Sequence, residues 1–172
     1  MRGAWLTAIF LVSCASGYAP LPRVVLSDDE LAVAAAGLRE APSFGYGGTV
    51  RVADRTALRA EVRSSLRRSG SMRICDPSRN ECWNVSEALL AQLAINNNRS
   101  FAILRRKLRT VHLGAANAED AVVLSRPAIA AHGDEALIAI ERAHVTHVLY
   151  LRRIRQDWSV MTSVAEGMPQ TR

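Results

Sequence analysis

Apolar and polar residues alternate with two different periods along this chain: helical through the first two thirds, strand-like through the last. From Ser27 to Glu40 the apolar residues recur at helical spacing, with Leu31, Ala34, Ala35 and Leu38 on one face. Ser27 stands three residues ahead of Glu30, the spacing of a capping box, and Asp28 and Asp29 place negative charge at the positive end of the helix dipole. The same three acids could be imagined as a metal site, but capping accounts for them. Pro42 ends the helix. Thr49 to Val52 alternates like a short strand. Asp54 can cap a second helix running to about Arg68, with Leu58, Val62 and Leu66 as its buried stripe. A third helix opens at Asn84-Val85-Ser86-Glu87, carries Leu89, Leu90, Leu93 and Ala94 on its apolar side, and stops at Asn96-Asn97-Asn98. Phe101, Leu104 and Leu108 fit either a short helix or an irregular segment that feeds a strand at Thr110 to Leu113.

Beyond residue 120 the pattern is that of sheet. Ala121–Leu124, Ala136–Arg142, Val145–Ile154 and Trp158–Val164 read as strands. His132-Gly133-Asp134 and Arg155-Gln156-Asp157 read as the tight turns between them. Val148, Tyr150 and Ile154 alternate with Leu149, Leu151 and Arg153, so both sheet faces expect some cover. The expected class is α+β, with N-terminal helices packed on a C-terminal antiparallel meander of about four to five strands.

Ahead of the first helix lies a different kind of segment. Arg2 precedes the greasy run Trp5 to Val12, and small residues follow it, which is the layout of a secretory signal peptide. The run falls well short of the ~20 apolar residues a helix needs to cross a bilayer. Leu11-Val12-Ser13-Cys14 resembles the lipobox of bacterial lipoproteins. That resemblance implies cleavage before Cys14, a diacylglycerol on its thiol, and acylation (palmitate, for example) of the new amino terminus. Two or more acyl chains anchor firmly where one binds only marginally. Residue Ala15 is not the aspartate that marks inner-membrane retention in such lipoproteins, which points to the outer membrane, facing the periplasm. Ordinary secretion, with cleavage after Ala15-Ser16, is the competing reading. The expected organisation is a signal peptide over 1–13, a lipidated terminus and tether over 14–25, one domain over 26–166 and a tail over 167–172.

Composition changes this picture little. About 160 residues remain after such cleavage, enough for one domain with a core. The formal net charge is +6, and losing Arg2 lowers it by one. Lys107 is the single lysine, so the positive charge is arginine. An exported chain is not expected to meet nucleic acid, and a GC-rich coding sequence accounts for arginine and alanine together. The alternative is contact with phosphate, which arginine grips bidentately. Arg55, Arg59, Arg63 and Arg67 recur every four residues along the second expected helix. Such a stripe is either a solvated face or a contact for an anionic lipid surface, since like charges at that spacing repel by a few tenths of a kcal/mol.

Cys75 and Cys82 bracket a polar loop. In an oxidising compartment they should pair, and a lipidated Cys14 would leave an even count. Their spacing is that of neither a zinc knuckle nor a thioredoxin-like motif. The glycine-rich stretch Ser43 to Gly48 lacks the spacing of a phosphate loop, and no G-x-S-x-G, H-E-x-x-H or S-x-x-K motif occurs. His144 and His147, with His132 near another turn, are the nearest approach to a metal set; surface or edge histidines are the plainer reading. Trp158 and Tyr150 read as core before they read as ligand-stacking rings. No catalytic residue, metal or cofactor is expected.

Ser125-Arg126-Pro127, Glu135-Ala136-Leu137-Ile138, Leu149-Tyr150-Leu151-Arg152-Arg153 and Trp158-Ser159-Val160 together resemble a group of uncharacterised bacterial secreted proteins and lipoproteins. Asn97 and the Thr49 to Thr56 stretch fit a looser N-terminal pattern of that group. The resemblance implies a shared fold, and it brings no catalytic residues. The chain departs from the group at Ala143 to His147, where glycines and sometimes cysteines are usual. The expected function is therefore that of a non-enzymatic envelope lipoprotein, held to the membrane at Cys14 and making protein or anionic-surface contacts. The alternative is an envelope small-ligand binder or hydrolase with a pocket near His112, His144 or Trp158.

Overall fold

A computed structural model describes residues 21–40, 51–76, 78–103, 113–114, 121–142 and 145–166. In chain order the elements are β1 (Arg23–Val24), α1 (Asp28–Glu40), β2 (Arg51–Thr56), α2 (Ala60–Arg68), β3 (Met72–Asp76), β4 (Glu81–Val85), α3 (Glu87–Asn96) and β5 (Phe101–Ile103). They continue with β6 (Leu113–Gly114), β7 (Ala121–Leu124), β8 (Ala128–Ile129), β9 (Glu135–Arg142), β10 (Val145–Ile154) and β11 (Asp157–Glu166).

The α+β class holds, but the expected meander is only one end of the sheet. Among the described residues nine strands form one mixed sheet in the order β1-β5-β2-β7-β9-β10-β11, with β6 beside β2 and β8 beside β9. β9, β10 and β11 are the meander, consecutive strands each antiparallel to the next. β2 is parallel to β7 and β6 but antiparallel to β5, and β1 is parallel to β5. Arg23-Val24, placed in the tether by the sequence, thus belongs to the sheet. Gly133 (φ 79°) and Arg155 (φ 61°) take the left-handed conformations that the two tight turns before β9 and β11 require.

Both faces of the sheet are covered. On one face α1 sets Val33, Ala34, Ala36 and Leu38 against Ala136, Ile138, Ile140, Leu149 and Leu151. On the other, α2 and α3 bring Leu58, Val62, Leu66, Leu90 and Leu93 onto Leu137, Ala139, Val148 and Tyr150. The strict alternation within β9 and β10 assigns each residue to one of these two cores. The register of β11 slips between Tyr150 and Leu151, so Trp158 and Val160 face α1 while Met161 and Val164 face the opposite core.

α1 turns a slightly different face inward than its leucine spacing suggests. Glu30, Val33, Ala34, Ala36, Gly37 and Leu38 are buried, whereas Leu31 and Ala35 are only half-buried. Gly37 explains the rotation. A Cβ there would lie 3.1 Å from Ile138 Cγ2, so the bare backbone lets the helix sit close on β9.

α2 begins at Ala60, not at Asp54. Residues 51–56 are strand, because β2 has β5, β6 and β7 to pair with. Arg59 occupies the N-cap without a side-chain capping bond, so tertiary packing of Val62 and Leu66 holds this short helix. α3 matches its expected bounds, with Ser86 accepting from the Leu89 N–H at 3.2 Å.

β3 and β4 form a separate hairpin, with Cys75 directly opposite Cys82 and a disulfide joining them. Met72, Ile74, Trp83 and Val85 point down onto the α2–α3 side of the sheet. The two cysteines are exposed on the hairpin's outer face. Asp76 accepts from the Ser78 N–H and hydroxyl and pairs with Arg79 at 3.5 Å, which shapes the tip.

Candidate functional site

The polar residues of the resembling motif converge on one buried seam. Ser125 is buried; its N–H donates to Ala139 O at 2.9 Å, and its hydroxyl accepts from the Ala139 N–H at 2.8 Å. Asn97 is 1% exposed. Its amide nitrogen donates to Leu93 O and Arg126 O, both at 2.8 Å, and its side-chain oxygen accepts from the Arg126 N–H at 2.6 Å. Asn96 donates to Pro127 O at 2.7 Å. Arg126 Nε reaches Glu30 Oε1 at 2.7 Å, while Glu30 Oε2 accepts from the Ser27 N–H at 2.8 Å. The Glu30 N–H donates to Ser27 Oγ at 3.1 Å, which completes the expected capping box. The run Ser125-Arg126-Pro127 therefore ties α1, α3 and β9 together. Asn97, Ser125 and Glu30 are held in these bonds, and the Arg126 Nε is bound to Glu30.

Tyr150 and Trp158 are both core residues. Tyr150 is buried, 6.2 Å from the Trp83 ring between centroids, and its hydroxyl donates to Glu135 Oε1 at 2.7 Å. Burial first, and the Glu135 carboxylate second, push its phenol well above the usual tyrosine range. A raised folded value favours the neutral phenol. The stability it contributes is complete below about pH 10, the unfolded value, and is lost as pH rises beyond that. Urea midpoints taken in steps upward from pH 9 are expected to fall more steeply for the wild type than for Tyr150→Phe. Trp158 lies under the Arg153 guanidinium, 4.7 Å from carbon to ring centroid, and Arg153 reaches Asp29 Oδ1 at 2.7 Å.

His132 and His147 are the histidines within the described residues. Burial lowers the affinity of the His147 imidazole for a proton. His132 is exposed in the turn before β9, 2.6 Å from Asp134 Oδ1 and 3.8 Å from Glu135 Oε2. His112 and His144 lie outside the described residues, as do Cys14 and the 43–48 stretch. Among the described residues no group of three or more histidine, cysteine or acidic side chains is placed to hold a metal. Nor is any described helix long and apolar enough to cross a membrane.

The arginine stripe is broken because β2 runs on to Thr56 and α2 begins only at Ala60. Arg55 is a strand residue opposite Ala102, half-buried, with its Nε closed off from solvent. Arg59 lies 3.7 Å from Glu61 and 3.9 Å from Glu141. Arg63 and Arg67 remain on one face of α2, flanking a hollow of about 300 Å³ with Ala60, Ser64 and Asn98. Arg63 Nη1 donates to Asn97 O at 2.8 Å, which joins this hollow to the buried seam. The four-residue spacing was readable; the strand that removes Arg55 was not.

A second hollow, about 360 Å³, lies where the end of α1 meets β11, lined by Arg39, Glu40, Arg79, Trp158 and Ser159 among others. A third, about 350 Å³, runs between α3 and β8, with Leu89 and Ile129 as its floor and Gln92 and His132 at its rim. No family model, curated protein or solved structure matches this chain.

Proposed function

We propose that this chain is a bacterial envelope lipoprotein, tethered through acylated Cys14 at the outer membrane and facing the periplasm. Its domain is a non-catalytic module that makes contacts with a protein or with an anionic surface. The observation that carries this reading is the Cys75–Cys82 bond. Both sulfurs sit on an outer, exposed face, where a reducing cytosol would keep them as thiols. An exported chain with a lipobox-like Leu11-Val12-Ser13-Cys14 accounts for the bond and for the greasy leader together. The motif residues Ser125, Arg126 and Asn97 are engaged in bracing the fold, which supports an interaction role over a catalytic one.

Mass spectrometry of the protein isolated from its own membranes tests this. The expected species begins at Cys14, carries diacylglyceryl and acyl groups, and holds Cys75 and Cys82 oxidised. An intact initiator methionine with three free thiols would refute it. The hollow beside Trp158 favours a second reading, a small-ligand binder. A rise in melting temperature with envelope glycans, abolished by Arg39→Ala, would move the assignment there.

A further inference from the structure

Several arginines among the described residues lie beside an acid that occupies them. Arg59 lies near Glu61 and Glu141, Arg79 near Asp76, Arg126 on Glu30 and Arg153 near Asp29. Arg63 and Arg67 differ. They stand one turn apart on α2, and among the described residues neither forms an ion pair. Two uncompensated guanidinium groups at that spacing repel each other. Arg63 is nonetheless fixed, because Nη1 is bound to the carbonyl of Asn97, and Asn97 is locked by its own side chain. One of its five N–H donors is used there, which leaves the rest of a pre-oriented fork facing out. The Ser64 hydroxyl and the Asn98 amide, both exposed, add neutral donors to the same hollow of about 300 Å³.

We infer that this hollow is a binding site for the phosphate monoester of a membrane lipid headgroup. The inference deepens the anionic-surface reading above and rests on it. Two positive charges match a doubly charged monoester and leave excess charge against a phosphodiester. A tetrahedral oxyanion can accept from Arg63, Arg67 and Ser64 at once. The hollow is open on its outer side, as a headgroup still joined to its lipid requires.

The test uses the full chain carrying Cys14→Ser, which has no acyl anchor of its own. It is sedimented with vesicles of phosphatidylcholine alone, with phosphatidic acid added, or with phosphatidylglycerol added to the same surface charge. Binding is expected to be strongest with phosphatidic acid, to weaken with added salt, and to be displaced by inorganic phosphate. Arg67 is the residue to change, since Arg63 also braces Asn97. Arg67→Gln is expected to weaken phosphatidic acid binding by about five-fold, and Ser64→Ala to weaken it less, with urea midpoints unchanged. Any affinity of residues 1–13 for lipid is common to wild type and variants, so it cancels. Equal sedimentation with phosphatidic acid and phosphatidylglycerol overturns the monoester assignment. Unchanged binding by Arg67→Gln overturns the site. Binding of inorganic phosphate without vesicle binding overturns the lipid source. Because the anchor is removed, failure here and failure of acylation at Cys14 are separate results.

Discussion

Trp158→Ala is expected to lower the urea midpoint by an amount equivalent to about 3–5 kcal/mol, the range for deleting a large buried aromatic ring. Trp158 is 4% exposed and fills the end of the α1-side core beside Ala36, Leu151 and Val160. Removal leaves a void between a helix and an edge strand. Gly37, next to Ala36, lies tight against Ile138, so α1 cannot simply settle inward to fill it. The indole is also the platform on which the Arg153 guanidinium rests while it reaches Asp29 in the first turn of α1. Trp158→Phe separates the two contributions. It keeps a ring for Arg153 and removes an indole N–H that is buried without a hydrogen-bond partner. Its cost is expected to be well under half that of Trp158→Ala, as read in the same urea titrations. Equal costs would mean that volume and stacking by a smaller ring contribute nothing at this site.

Asn97→Ala is the second large effect, expected at about 3 kcal/mol. The side chain contributes little apolar area, so the cost is polar. Its loss strands the Arg126 N–H, the Arg126 carbonyl and the Leu93 carbonyl at the end of α3, all of which now have Asn97 as a partner. A buried polar group left without a partner costs about 1–3 kcal/mol. Asn97→Asp should be at least as damaging near neutral pH. The carboxylate can still accept from the Arg126 N–H, but it then faces two carbonyl oxygens it cannot donate to. Equilibrium unfolding of the two variants checks the order. If Asn97→Asp were as stable as wild type, the amide donor would have no role in the seam.

Local chemistry was legible in the sequence wherever it was repeated within one turn. Ser27 with Glu30, and Ser86 ahead of Glu87, marked both capped helices. The alternation of Val148 and Tyr150 with Leu149 and Leu151 marked a strand with cover on both faces. Cys75 and Cys82 bracketed a hairpin whose register sets them opposite each other. What failed was strand identity where it depends on distant partners. β1 and β8 are two residues long and carry no period of their own; of the strand expected at Thr110 to Leu113, Leu113 lies in β6 and the rest falls outside the described residues. Residues 51–56 form a strand because Phe101-Ala102 lies on one side and Ala121-Val122 on the other. Nothing within the window from Asp54 to Arg68 signals that pairing, so the helical spacing of the arginines was extended one turn too far back. The hollow was half legible: Arg63 and Arg67 were named from spacing and Ser64 lies between them on α2, but Asn98 meets them only because α2 packs on α3.

The strand order fixes when this protein can fold. β9, β10 and β11 are neighbours in both sequence and sheet, so the meander has low contact order and can assemble as soon as it is made. The first third of the chain has no such option. β1 waits for β5, β2 waits for β7, and α1 waits for the bed made by Ile138, Ile140, Leu149 and Leu151. On a ribosome those partners are synthesised after the segment that needs them. The leading segment therefore cannot complete its native pairing and packing until β7, β9 and β10 have been made.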